Sequence, residues 1–166
     1  MLSESVAKEV LAKKGIEISG DSVVFQPLGV NEFKKSATYA RVIIDTAQGK
    51  AGDYKKLNVK KVFTPKQIQI LDSDAKSAIE TGFKNTPLKL ITWGGVSIDT
   101  INGIQVIKTA YTRQLNDNPP VYVEMYYIEN NDRQYTLTLS YRVADASTWK
   151  DALKTTKESF KVTNIR

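Results

Sequence analysis

Residues 121–143 read VYVEMYYIENNDRQYTLTLSYRV, two tyrosine-rich, β-like runs on either side of a polar turn. Tyrosine joins an apolar body to a polar tip, so it suits a core and a binding surface alike. Register decides which side each one takes, because opposed residues of an antiparallel pair share a face. A three-residue loop over 130–132 makes Glu129 face Arg133. Tyr127 then opposes Tyr135, Met125 opposes Leu137, Val123 opposes Leu139 and Val121 opposes Tyr141. A slip of one residue sets Glu124 against Leu139 and is disfavoured.

The strand pair before it extends the same analysis. Asn102-Gly103 is the strongest short hairpin signal and pairs Ile98 with Ile107, Val96 with Thr109 and Gly94 with Tyr111. The last pair lets a ring cover a strand glycine. Setting Tyr111 beside Val123 and Ile107 beside Tyr127 joins the two hairpins. One face is then a core of Ile98, Ile107, Tyr127, Tyr135, Val96, Met125, Leu137, Tyr111, Val123 and Leu139.

The opposite face is mixed: Trp93, Ser97, Lys108, Ala110, Thr112, Tyr122, Glu124, Tyr126, Thr136, Thr138, Ser140 and Arg142. Lys108 lies diagonally from Glu124, within reach of an ion pair. Aromatic rings beside small polar residues suit a shallow binding surface. Trp93, Lys108, Tyr122, Glu124, Tyr126 and Arg142 are therefore the candidate ligand-binding residues. The competing reading packs a second helix on this face. An open pocket there favours a ligand carrier, and a helix lying flat across it eliminates one.

Outward from these strands, TPKQIQILDSDAKSAIETG (64–82) predicts a helix. Thr64 is its N-cap, Pro65 its first residue, Gln67 closes a capping box and Gly82 ends it. Ile68, Leu71, Ala75, Ala78 and Ile79 form one apolar stripe. DASTWKDALKTTKESF (145–160) predicts another helix, capped by Ser147, with Trp149, Ala152, Leu153, Thr156 and Phe160 on one side. Residues 3–15 read as a short amphipathic helix, IEISGDSVVF as two extended pieces around a turn, and ATYARVIIDT as a strand. The fold class is α+β: a central antiparallel sheet, a meander in its C-terminal half, flanked by helices. Residues 1–166 form one domain, with 1–36 a peripheral N-terminal segment.

Composition removes whole classes of chemistry. The 166 residues include no cysteine and no histidine. Thiolate nucleophiles, zinc–thiolate and imidazole-ligated sites, iron–sulfur clusters and Ser-His-Asp triads are excluded within the chain. Asp72–Asp74 lacks the glycine and glutamate of a calcium loop, and Gly94-Gly95 lacks the helix that a phosphate loop needs. NDNPP and ENND offer oxygen ligands but are ordinary hairpin ends. No metal or cofactor is expected. The +6 net charge concentrates at Lys50, Lys55, Lys56, Lys60 and Lys61, a segment read as an exposed charged connection. Nucleic-acid binding is not expected, and no apolar run is long enough for a membrane span.

Taken together, YARVIIDT…GKAGDYKKL, the capped central helix, the tyrosine-rich meander and YRVADASTWKDALKTTKESFKV resemble the PsbP-like fold family over most of 37–162. That family includes the lumenal extrinsic protein of photosystem II, a Ran-GTPase-binding nuclear transport factor and bacterial secreted proteins or lipoproteins. The resemblance implies an α/β/α sandwich, with helices on both faces of the sheet. It implies partner binding rather than catalysis, with the bacterial secreted branch nearest. No Ran-binding or photosystem-binding motif carries over.

The expected function is a non-enzymatic binding or accessory protein outside the cytoplasm, periplasmic or secreted, its signal sequence trimmed. Its partner would be a protein or cell-envelope component, and the chain a monomer or weak dimer. The alternative is a small-ligand carrier using the face around Trp93, Tyr122 and Tyr126. A hydrolase built on Glu124 ranks last, since no second carboxylate is placed beside it.

Overall fold

The computed structural model describes residues 16–19, 22–27 and 37–166. The helix expected over 3–15 lies outside them. Among the described residues, seven strands form one antiparallel sheet: β1 (Ile16–Ser19), β2 (Ser22–Phe25), β3 (Ala40–Gln48), β4 (Leu88–Ile101), β5 (Ile104–Leu115), β6 (Val121–Glu129) and β7 (Arg133–Arg142). Their spatial order is β1-β2-β3-β7-β6-β5-β4. After β3 the chain crosses to the far edge through helix α1 (Pro65–Phe83). It then meanders back until β7 docks beside β3. A short 3-10 turn over Val143–Asp145 leads into helix α2 (Ala146–Ser159). The α+β architecture expected from the sequence is the one observed.

α1 begins as its sequence dictates. The Gln67 backbone N–H donates to Thr64 Oγ1 at 3.3 Å, and the Thr64 N–H donates to Gln67 Oε1 at 2.9 Å. The helix runs past Gly82 to Phe83, one residue further than expected. Phe83 meets Tyr111 edge-on at 6.2 Å, which gives this last turn a tertiary contact that local propensity does not contain. α2 also starts earlier than expected, with Asp145 rather than Ser147 at the N-cap position. The Asp145 carboxylate accepts from Thr38 Oγ1 at 3.1 Å and from the Tyr39 N–H at 2.9 Å, so it ties the helix start to the approach to β3.

The Asn102-Gly103 turn forms as expected, with both residues at positive φ (48° and 79°), and pairs Ile98 with Ile107 and Val96 with Thr109. Beyond Val96 the register shifts. Gly94 bulges out of β4, Gly95 sits at φ 92°, and Trp93 rather than Gly94 opposes Tyr111. A Cβ on Gly94 would lie 2.9 Å from the Ala110 carbonyl oxygen, so the bulge requires glycine there. The bulge turns Trp93 to the α1 side, where its ring stacks on Tyr111 at 6.4 Å. Asp72 of α1 accepts from Trp93 Nε1 (3.1 Å) and from the Val96 N–H (2.7 Å). This one carboxylate fastens the helix to the irregular strand.

The β6–β7 register is the slip that the sequence disfavoured. Tyr122 opposes Tyr141, Glu124 opposes Leu139, Tyr126 opposes Leu137 and Ile128 opposes Tyr135. The turn is tighter than a three-residue loop: the Asn130 N–H donates to the Arg133 carbonyl at 2.8 Å, with Asn131 at φ 61°. The β5–β6 register is as expected, with Tyr111 beside Val123 and Ile107 beside Tyr127. The core face therefore recombines. Under α2 lie Val106, Tyr126, Ile128, Leu137 and Leu139 with Ile101 and Leu153, while Tyr127, Met125 and Val123 belong to the α1 side.

Two further segments close the α2 side. Leu57, 2% exposed, plugs the core from within the lysine-rich connection. That segment is thus anchored rather than merely exposed, and Tyr54 and Asn131 hold it through backbone bonds. At the C-terminus, buried Asn130 donates to the Asn164 carbonyl and accepts from the Arg166 N–H.

Asp72→Ala removes the acceptor for Trp93 and for the bulge. The expected cost is about 1–3 kcal/mol of unfolding free energy, the usual range for stranding buried donors. Urea titration followed by tryptophan emission measures it, and an unchanged midpoint would mean that packing alone holds α1.

Candidate functional site

Four of the six residues expected to bind a ligand converge on the α2 side of β5 and β6. Lys108 and Tyr126 are directly opposed, and Tyr122, Glu124 and Tyr126 alternate along one strand so that all three face the same way. Lys108 Nζ lies 2.5 Å from Glu124 Oε1. The Tyr122 hydroxyl donates to Oε1 at 3.1 Å and the Tyr126 hydroxyl to Oε2 at 2.7 Å. Both carboxylate oxygens are thereby satisfied. Trp93 and Arg142 do not join them. The β4 bulge turns Trp93 to the other face, and the observed β6–β7 register places Arg142 opposite Val121, where it pairs with Asp145 at 3.7 Å.

A cavity of about 350 Å³ lies over this cluster, between the sheet and α2. That is within the size range of small-molecule sites. Its floor is Lys108, Tyr122, Glu124 and Tyr126; Leu139, Tyr141 and Leu153 supply apolar wall. Lys150, Lys154 and Lys157 of α2 complete it. Their i, i+4, i+7 spacing puts them on one helix stripe. Lys157 reaches inward: its ammonium lies 3.2 Å from Asp99 and 5.5 Å from the Tyr126 ring centre, and Lys108 lies 5.8 Å from the same ring. α2 therefore covers this face, with the cavity left between helix and sheet.

Charge states follow from these contacts. Burial alone would raise the Glu124 carboxyl, but the hydrogen bonds from Lys108, Tyr126 and Tyr122 and the Lys108 charge hold it below the ordinary glutamate value. Asp99 is likewise lowered against its burial, by the Thr100 N–H and by Lys157. The Tyr122 and Tyr126 hydroxyls are pushed well above the ordinary tyrosine value, by burial first and then by the Glu124 carboxylate. At neutral pH the floor is an ionised carboxylate ringed by donors, which leaves it a poor general base.

The α2 lysines, Tyr141, Leu139 and Leu153 were not foreseen as site residues. The lysine spacing in TWKDALKTTK carried part of the signal, because those lysines flank the apolar stripe of the same helix.

No protein-family model matches the chain, and no curated protein does. Among solved structures, the crystal structure of PA94, a protein of unknown function from Pseudomonas aeruginosa, is similar in fold. It aligns over 89% of this chain and 86% of its own at 15% identity, with a TM-score of 0.53. The solution structure of cyanobacterial PsbP (CyanoP) from Synechocystis sp. PCC 6803 aligns over 90% and 88% at 12% identity, with a TM-score of 0.48. At 15% identity the likeness to PA94 is one of fold.

The lowered Glu124 pKa makes stability depend on pH. Its contribution is complete above the unfolded value near ~4.3 and is lost as pH falls through the folded value. Glu124→Gln is expected to cost about 1–3 kcal/mol near neutrality, because Lys108 loses its counter-ion. It is also expected to flatten the loss of stability on acidification that the lowered Glu124 pKa implies for the native chain. Urea unfolding at neutral and acid pH reads both, and parallel pH profiles for the two proteins would remove Glu124 from the account.

Proposed function

We propose that this is a non-enzymatic binding protein that holds a small ligand in the cavity between α2 and β5–β7, as a carrier or accessory factor outside the cytoplasm. The observation that carries this reading is the cavity itself, set over Lys108, Tyr122, Glu124 and Tyr126. Helix and sheet part there although they pack closely at Leu153, Leu137 and Leu139. The non-enzymatic part of the proposal rests on Glu124. It is a single carboxylate with both oxygens already bonded, and a lowered pKa suits holding a structure more than moving a proton. The extracytoplasmic setting is supported by a chain without cysteine, which has no thiol for an oxidising compartment to modify, and by the sequence resemblance to a secreted branch. Among the described residues no helix is long and apolar enough to cross a membrane.

Occupancy is testable without knowing the natural ligand. On titration with a naphthalene dye, amide resonances of residues 108, 122–126, 139–141 and 150–157 are expected to shift saturably and together. Shifts centred instead on α1 or the β1–β2 edge would overturn the assignment of the site.

A further inference from the structure

We propose that the cavity selects a small organic anion, its charged end held by Lys150 and Lys154 and its apolar body lying against Leu139, Leu153 and Tyr141. This rests on the cavity being the binding site and adds the class of ligand. Four ammonium groups border the cavity, but they are not equivalent. Lys108 is committed to Glu124 at 2.5 Å and Lys157 to Asp99 at 3.2 Å. Lys154 lies 4.0 Å from Glu158, with the two side chains 68% and 58% exposed, a contact that water and salt screen. Lys150 has no ion-pair partner among the described residues. One helical turn apart on the same edge, Lys150 and Lys154 leave an uncompensated positive charge at the rim.

The floor offers no matching attraction for a cation. Glu124, the one carboxylate among the lining residues, already has both oxygens occupied by Lys108 and the two tyrosine hydroxyls. The wall below the rim is apolar, which asks for a hydrocarbon or aromatic body rather than a bare inorganic ion. Lysine ammonium groups act as point charges with no fixed fork, so carboxylate, sulfonate and phosphate ends are all acceptable. The charge sign and the apolar body are what the site selects.

Two dyes with related ring systems separate charge from shape: anilinonaphthalene sulfonate, an anion, and phenylnaphthylamine, which is neutral. Fluorescence titration of the full chain is expected to show the sulfonate binding on the order of tenfold more tightly, with the difference shrinking as salt is raised. The double variant K150Q/K154Q should lose that advantage, about tenfold for two partly exposed charges, while its affinity for the neutral dye and its melting temperature stay unchanged. Equal affinity for the two dyes, or an advantage that survives in the double variant, would overturn the anion assignment and leave the cavity as a site. If neither dye shifts the cavity resonances, the site reading fails and the ligand class falls with it.

Discussion

The carboxylate of Glu124 faces the interior layer between a sheet and a helix, where an unpaired charge costs several kcal/mol. Its neighbours meet that demand with three donors. Tyr122 and Tyr126 sit two residues to either side on β6 and turn their hydroxyls back onto it, while Lys108 reaches it from β5. With the polar tips turned inward, the ring bodies become wall, and Tyr122 tilts against Tyr141 at 5.4 Å. Leu153, the buried residue of the helix, packs into the core with Leu137 and Leu139 at the border of the cluster, and a gap remains over the charges.

The gap persists because α2 is held at both ends. At its start, Asp145 binds Thr38 and Tyr39, and Trp149 Nε1 donates to Thr38 Oγ1 at 2.5 Å. At its end, the Asn102 side-chain amide donates to the carbonyls of Glu158 and Phe160, satisfying groups that a helix C-terminus leaves open. The tail beyond is held by Asn130 and by Asp132, which pairs with Arg166 at 2.8 Å. Both hairpin turns thus serve as clamps for the last segment of the chain, beyond reversing its direction. The side chains of Asn102 and Asn130 do this work, and their backbones make the turns.

Element order, the capping box at Thr64 and the Asn102-Gly103 hairpin were legible because each is encoded locally, in neighbouring residues. The β6–β7 register was not. Alternation fixes register when one face is wet, but β6 lies between β5 and β7 and is buried on both sides: Val123 and Tyr126, on opposite faces, are 2% and 1% exposed. Both parities then read as core, and the rule against placing Glu124 opposite Leu139 carried the decision. That rule assumed an unpaired carboxylate. The Lys108–Glu124 contact, itself legible from the β5–β6 register, removes the penalty. Trp93 was misplaced for a different reason. Counting by twos from the turn cannot foresee an extra residue, although Gly94-Gly95 beside a tryptophan is the pattern of a bulge. The lysines of α2 escaped because facing a cavity depends on the angle at which the helix meets the sheet, which no residue of α2 specifies by itself.

The proposed site would divide its labour between a fixed floor and an adaptable rim. Glu124, its three donors and the buried Tyr126 ring are locked by mutual hydrogen bonds and by strand pairing, so a ligand of the proposed kind would find them already in place and lose little by ordering them. Lys150 and Lys154 are long side chains at the solvent edge, free to follow an anion over several ångströms. In the proposed site, the wall of Leu139, Leu153 and Tyr141 would set the shape of the apolar body that fits, whereas mobile ammonium groups discriminate poorly between one acidic group and another. Selectivity should therefore reside in the hydrocarbon part of the ligand and attraction in its charge. That separation follows from Lys108 being spent on Glu124: the cation nearest the floor holds the sheet together, and the cations left for a ligand lie on the helix.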